Sequence, residues 1–474
     1  MAQELTPDIC VIGAGAGGLA VASAAASFGV AVVLVEKGRM GGESLNSGCV
    51  PARALSRVAG CVNALRNGAC HGVRPARFGV DFSAINGHVH DVIDAVAAQD
   101  SRERFTGLGV RVISGTARFA DAHTARVDDF IIKARRFVIA TGSSPALPPI
   151  PGLAQTPHVT SETVFELNEC PHHLMVIGAG SVGLELAQSF RRLGAEVTVL
   201  ETEKPLASDD PECAAIVLDA LEGEGVALRT GIKITQVRRL LGRLEIDITT
   251  PSGSETIAGT HLLVAAGRRP NVEDLDLDDA GIRYEPHGII VDRRLRTTNK
   301  RVYAVGDVTV GPKSAQLANY HAELVVRHAL FRQAVSVDHQ IVPSVTYTDP
   351  ELAQVGLLED EARAYAGGIR VLRWPYREND RAQAERATKG HIKIITDRGG
   401  GILGATIVGA EAAESIAPWA LAVSQKLNIR AFAGLIVPYP SYAEVGKRAA
   451  MTYFMRGLTS SRVHRIIGWL RRLG

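Results

Sequence analysis

The sequence predicts an α/β chain in which one unit, a parallel-sheet strand running into a glycine turn, occurs twice, followed by an α+β segment. Three observations predict it. At 474 residues the chain has room for roughly three domains of about 150 residues. Two stretches, starting at Asp8 and His173, each read apolar strand, glycine turn, helix, apolar strand, terminal acid. Several further apolar strands stop on a glycine. A hydrophobic content of 46% is ample for several cores.

The first stretch is "DICVIGAG", an alanine-rich helix "LAVASAAASFG", and "VAVVLVEKG". Gly13 permits the tight turn, Gly15 lets the backbone approach a pyrophosphate, and Gly18 lets helix and strand pack closely. The helix N-terminus receives phosphates and Glu36 can bond a ribose hydroxyl pair. A lone glycine triplet is weak, but strand, helix and terminal acid in order carry the reading. In "HLMVIGAGSVGLELAQSFRRLGAEVTVLE" the pattern returns as Gly178, Gly180, Gly183 and Glu201. Two such units, about 165 residues apart, imply two dinucleotides and two Rossmann-like domains. Glu201 accepts hydrogen bonds from the 2′-OH of NAD and repels the 2′-phosphate of NADP, so NADH is expected over NADPH. "RRFVIATGSSP" and "HLLVAAGRRPN" are buried strands that turn at Gly142 and Gly267. "RVYAVGDV" ends at Gly306 and Asp307, an acid placed to bond polyol hydroxyls.

Composition excludes several classes. A formal net charge of +2 gives no basic face for nucleic acid, and 5% aromatic content gives no stacking platform. Six scattered cysteines, with no C-x-x-C pair and no metal-ligand spacing, fit a reducing cytoplasm and no metal centre. No basic leader precedes the first strand, and no run of about 18 apolar residues marks a spanning helix.

The stretch "GGESLNSGCVPAR", residues 41–53, completes a pattern. With both fingerprints, Ala140-Thr141-Gly142-Ser143, "GRRPN" at 267–271 and Gly306-Asp307, the chain resembles the pyridine nucleotide-disulfide oxidoreductases from about residue 7 to about 450. That family includes dihydrolipoamide dehydrogenase, glutathione reductase and mercuric reductase. The resemblance implies an FAD-binding domain at 1–148 and 272–340, with Gly42, Ala140 and Thr141 among its contacts. It implies an NAD(P)-binding domain at 149–271, and at 341–474 a C-terminal α+β dimerisation domain that makes a homodimer. In the family, electrons pass from nicotinamide to flavin to an active-site disulfide. The nearer cysteine aligns with Cys49 and the farther with Ser44.

Three departures from the family pattern follow. Ser44 is not ionised at neutral pH and forms no reducible link to sulfur. Cys61 lies twelve residues past Cys49, roughly 18 Å along a shared helix, beyond the ~7 Å limit for bridged Cα atoms. Tyr439 stands in the slot of the family's histidine base, with Glu444 in the slot of its glutamate partner. Tyr, with a pKa near ~10, is a poor base but a workable hydrogen-bond donor. Mercuric reductases resemble the chain at this spot, yet mercuric ion needs soft thiolates, which are short here. Arg53 stands where the family carries a lysine paired with a glutamate aligned to Glu185, beside the nicotinamide ring. Arg keeps the charge but not the geometry. Cys49 is expected near a helix start at Pro51, which favours a reactive thiolate.

The hydride half-reaction needs neither Ser44 nor Tyr439. A helix opening at Ala315 is expected to point its positive end at the flavin pyrimidine edge. The leading expectation is an FAD-dependent NADH oxidoreductase that passes electrons from flavin to a small acceptor: a quinone, a dye or dioxygen. Three alternatives stand beside it. One is a single-thiol enzyme in which Cys49 cycles through sulfenic acid to reduce peroxide or a mixed disulfide. The second is a catalytically silent FAD-binding or sensing protein. The third is an ordinary dithiol enzyme altered at position 44. The tail at 460–474, "SSRVHRIIGWLRRLG", sets Val463, Ile466, Ile467, Leu470 and Leu473 at helical spacing among four arginines. It packs on its own domain or its dimer partner, or it lies on an anionic membrane surface.

Overall fold

Ile9–Ile12, Val32–Glu36 and Arg136–Ile139 are rich in Val, Ile and Leu, the composition of strands covered on both faces. In the computed structural model, which describes residues 3–73, 78–458 and 461–472, they form one parallel sheet. Its order is Val302–Ala304, Arg136–Ile139, Ile9–Ile12, Val32–Glu36, Arg111–Ser114. Alternate residues feed two different cores. Cys10, Ile12, Val33, Val35, Phe137 and Ile139 face one, while Ile9, Val11, Leu34 and Val138 face the other. The helix Ala16–Ser27 lies in the second core through Leu19, Val21, Ala22 and Ala25. Its small side chains let it pack close to the neighbouring helix Ala315–Ala329: an added Cβ on Gly17 would come within 3.2 Å of the Ala318 carbonyl oxygen.

The second fingerprint builds a second parallel sheet. Val159–Thr160, His261–Val264, His173–Ile177 and Glu196–Glu201 pair in that order. The fingerprint helix spans Ser181–Leu193. An antiparallel meander, Lys233–Leu240, Arg243–Thr250 and Gly253–Gly259, covers a core of Met175, Ile177, Ile246, Ile248 and Val264.

The chain divides into two compact units: Met1–Gly178, Ser189–Thr202 and Gly231–His339 form one, and Ala179–Gln188, Glu203–Thr230 and Gln340–Gly474 the other. Within the second, an antiparallel sheet runs Ser344–Thr346, Glu351–Gly356, Ile402–Gly409, His391–Asp397, Ile369–Pro375. Trp419 and Phe432 stack at 3.9 Å in its core. Lys393 is buried mid-strand and held by Asp210 at 2.7 Å and Glu359 at 2.9 Å. Asp210 also caps the helix Pro211–Gly223 by accepting from the Glu212 and Cys213 N–H groups.

Candidate active site

Gly13 takes φ +103°, and a Cβ there would stand 2.4 Å from the Ala140 carbonyl oxygen. A Cβ on Gly18 would fall 1.9 Å from the Gly13 carbonyl oxygen, so helix and strand touch backbone to backbone. Gly15 caps the helix Ala16–Ser27 and borders the 41–53 stretch. Gly41 N–H donates to the Ala14 carbonyl at 2.9 Å, and a Cβ on Gly42 would meet the Gly15 Cα at 2.6 Å. Glu36 turns back onto this loop, accepting from Ala14 N–H and Gly38 N–H, each at 2.6 Å. Each carboxylate oxygen keeps acceptor capacity for a hydroxyl. A side-chain-free turn at a helix N-terminus, with an acid at the next strand end, is a donor and acceptor set that fits a dinucleotide such as FAD.

Around this cradle the structure joins residues far apart in sequence. Ser143–Pro145 and Arg268–Pro270 form a short antiparallel pair, which two glycine-stopped strands gave no reason to expect. Thr141 Oγ1 donates to the Asn271 carbonyl at 2.8 Å, and Asn271 Nδ2 returns a bond to the Thr141 carbonyl at 2.9 Å. Arg268 is the hub. Its Nη2 donates to the Ser143 carbonyl at 2.7 Å, its Nε to Ser143 Oγ at 2.8 Å and its Nη1 to Glu43 at 3.3 Å. Ser143 Oγ donates to Asp307 at 2.8 Å, and Lys313 Nζ to the Asp307 carbonyl at 2.6 Å. Burial pushes the Glu43 carboxyl up from its ordinary range, and Arg268 opposes that rise. Burial also pulls the Lys313 ammonium down. Arg268, Glu43 and Lys313 were not singled out by sequence reasoning; a charged residue beside each glycine motif is the signal that would have found them.

Gly306 takes φ +69° at the end of the strand Val302–Ala304. The helix Ala315–Ala329 starts where expected, capped by Ser314, whose hydroxyl accepts from the Leu317 N–H.

Ser44 lies on the short helix Gly42–Asn46 and is half-buried, while Cys49 is exposed. Cys49 is itself the first residue of the helix Cys49–Asn67, two positions before the expected start at Pro51. Arg53 lies on its second turn and Cys61 on the same helix. The Glu43 carboxylate lies against Gly48, where a Cβ would come within 2.4 Å of Oε1. None of the six cysteines is in a disulfide; Cys10 and Cys213 are buried, and burial drives both thiols far up.

In the second fingerprint, Gly178 takes φ +107° and a Cβ there would stand 2.5 Å from the Ala265 carbonyl oxygen, repeating the relation of Gly13 to Ala140. Gly267 also takes φ +107°. Around Gly180 an added Cβ meets nothing within 4 Å. Gly183 and Glu185 lie on the helix Ser181–Leu193, and Glu201 ends the strand Glu196–Glu201, half-buried. Within the first unit, the Gly178 turn and the acid at Glu201 fit part of a second dinucleotide cradle.

In the second unit, Tyr439 Oη donates to Asp380 at 2.7 Å. That bond, with the Asp380 charge, raises the phenol above its ordinary range, so the side chain is a donor already committed. Asn379 fixes Asp380 at a helix start, since its Nδ2 donates to the Ser441 carbonyl at 2.9 Å and its Oδ1 accepts from Ala382 N–H. Glu444, in the first turn of the helix Ala443–Leu458, stands 3.8 Å from Arg448, and its Oε2 is buried with no protein partner.

The glycine cradle of the first fingerprint, and the Gly178–Ala265 contact that repeats its Gly13–Ala140 relation, point to a class, that of flavin- and nicotinamide-dependent oxidoreductases. Residues 7–322 match the pyridine nucleotide-disulphide oxidoreductase family, and residues 342–450 match its dimerisation domain. The chain belongs to that family, whose members are FAD-dependent pyridine-nucleotide oxidoreductases, and the dimerisation domain supports a homodimer. A mercuric reductase of Streptomyces lividans is 35% identical over 458 residues, covering 94% of this chain and 96% of that protein. A dihydrolipoyl dehydrogenase of Thermus scotoductus is 35% identical over 450 residues, covering 93% and 95%. Among solved structures, the HOCl-induced flavoprotein disulfide reductase RclA from Escherichia coli, as its Cu(II) complex, superposes with a TM-score of 0.84. It is 26% identical, covering 94% of this chain and 99% of its own. No helix among the described residues is long and apolar enough to cross a membrane.

Proposed function

We propose that this chain is an NADH oxidoreductase that delivers electrons from FAD directly to a small acceptor, quinone-like, dye or dioxygen, with no dithiol in the path. The reading rests on Ser44, which the family resemblance aligns with the farther thiol and which lies on the short helix Gly42–Asn46 preceding Cys49. Among the other thiols, Cys61 lies twelve residues along the helix from Cys49, roughly 18 Å away at 1.5 Å per residue. Cys10 and Cys213 are buried. Tyr439 supports the same reading, because its raised phenol, bonded to Asp380, is a poor proton acceptor.

FAD, when bound, would supply the redox chemistry that links the nicotinamide to the acceptor. The chain's own residues hold and orient. The Ala16–Ser27 N-terminus and Glu36 take the adenine-side phosphates and ribose. Asp307, braced by Ser143, takes polyol hydroxyls. The positive end of Ala315–Ala329 and the Lys313 ammonium favour negative charge beside them. Glu201 takes the nicotinamide nucleotide's ribose, which favours NADH over NADPH.

The exposure of Cys49 at a helix start favours one second reading, the sulfenic-acid cycle. The Cys49→Ser variant separates the two. Its NADH-dependent reduction of a quinone or dye is expected within about two-fold of the parent, and neither protein is expected to turn over lipoamide or glutathione disulfide. Loss of turnover in Cys49→Ser supports the sulfenic route instead.

A further inference from the structure

Every residue from His464 to Arg472 is exposed. Over its described side chains, 464–470, the helix Ser461–Leu470 therefore does not bury its apolar face on its own unit. Ile466 is 57% exposed, Ile467 49%, Trp469 62% and Leu470 50%. At 100° per residue these four share one side of the helix. Arg471 falls on one flank, Arg465 and Arg472 on the other. Residues 459–474 contain four arginines and no acid. The side chains of Arg462 and Val463, and residues 459, 460, 473 and 474, lie outside the described residues. The family match ends at residue 450, so it does not extend over this helix.

We propose that this helix docks on a bilayer surface bearing anionic phospholipid. A helix that pairs a wide apolar face and an aromatic residue with a purely cationic polar side has the charge complement of such a surface, with Trp at headgroup depth. Self-pairing of two copies about a two-fold axis would set arginine against arginine, which the charge pattern opposes. The inference is independent of the electron acceptor.

The test is co-sedimentation of the intact FAD-loaded protein with vesicles of equal phosphatidylglycerol and phosphatidylcholine, or of phosphatidylcholine alone, at low salt. The full chain is expected to pellet with the anionic vesicles only and to be released by about 0.5 M salt, where screening is short-ranged. A chain ending at Thr459 is expected to stay in the supernatant. The full-length double variant Arg471→Glu, Arg472→Glu is expected to bind at least ten-fold more weakly, since each basic residue is worth about five-fold at such a surface. No binding by the full chain, or equal binding by the shortened one, overturns the proposal. So does a change from dimer to monomer on shortening, which would make the helix a subunit contact.

Discussion

Glu43 and Arg268 meet across 225 positions of sequence, and the pair sets a pH dependence that can be signed. The folded state raises the Glu43 pKa through burial, so folding favours its neutral form. Stability therefore falls as pH rises from the unfolded value of about 4.5 through the folded one, and Arg268 limits the fall. Arg268→Leu leaves a partly buried carboxylate without its cation. A loss of about 3 kcal/mol is expected at pH 8, and a smaller loss near pH 4.5, where the raised pKa favours the neutral form of Glu43. Urea midpoints at the two pH values check this, and an equal loss at both would remove Glu43 from the account. The same pair shows what sequence can express. Gly13 and Gly18 were legible because each answers a local demand, a positive φ or a backbone contact, within one fingerprint. Arg268, Asp380 and Glu43 were not, because their roles exist only once distant segments touch.

At the level of elements, strands and helices with continuous apolar runs were readable, since a parallel strand covered on both faces leaves an unbroken Val, Ile and Leu signature. The short pair Ser143–Pro145 and Arg268–Pro270 carries no such run; it is made of Ser, Arg and Pro and exists through its pairing. The helix start was misread by two residues because Pro51 is a strong N-terminal signal, yet it occupies the first turn and Gly48 precedes the true start. On the proposed function, the strand end at Glu201 selects the nicotinamide nucleotide. With a carboxylate there, kcat/KM for NADH is expected to exceed that for NADPH by at least ten-fold. Glu201→Ala is expected to narrow the ratio, mainly through KM for NADPH. Comparable efficiency of the parent with both nucleotides would remove this reading.

For the whole molecule, both dinucleotide folds and the dimerisation domain are those of a family whose usual outlet is a disulfide. The cradle built by Gly13, Gly15, Gly18 and Gly42 fits a dinucleotide such as FAD, and the Gly178 turn repeats the contact of Gly13 with the neighbouring strand end. On the proposed function, Ser44 stands where the resemblance aligns the family's farther sulfur; in the second unit, Tyr439, aligned with the family's base, donates to Asp380. The proposed function makes loading of electrons and their release separate properties of one scaffold, with only the release changed. The most direct measurement is an anaerobic titration of the FAD-loaded protein with NADH, followed by absorbance. Full bleaching at one NADH per flavin, two electrons, is the predicted result; uptake of a second equivalent per flavin would contradict the account by revealing a working dithiol.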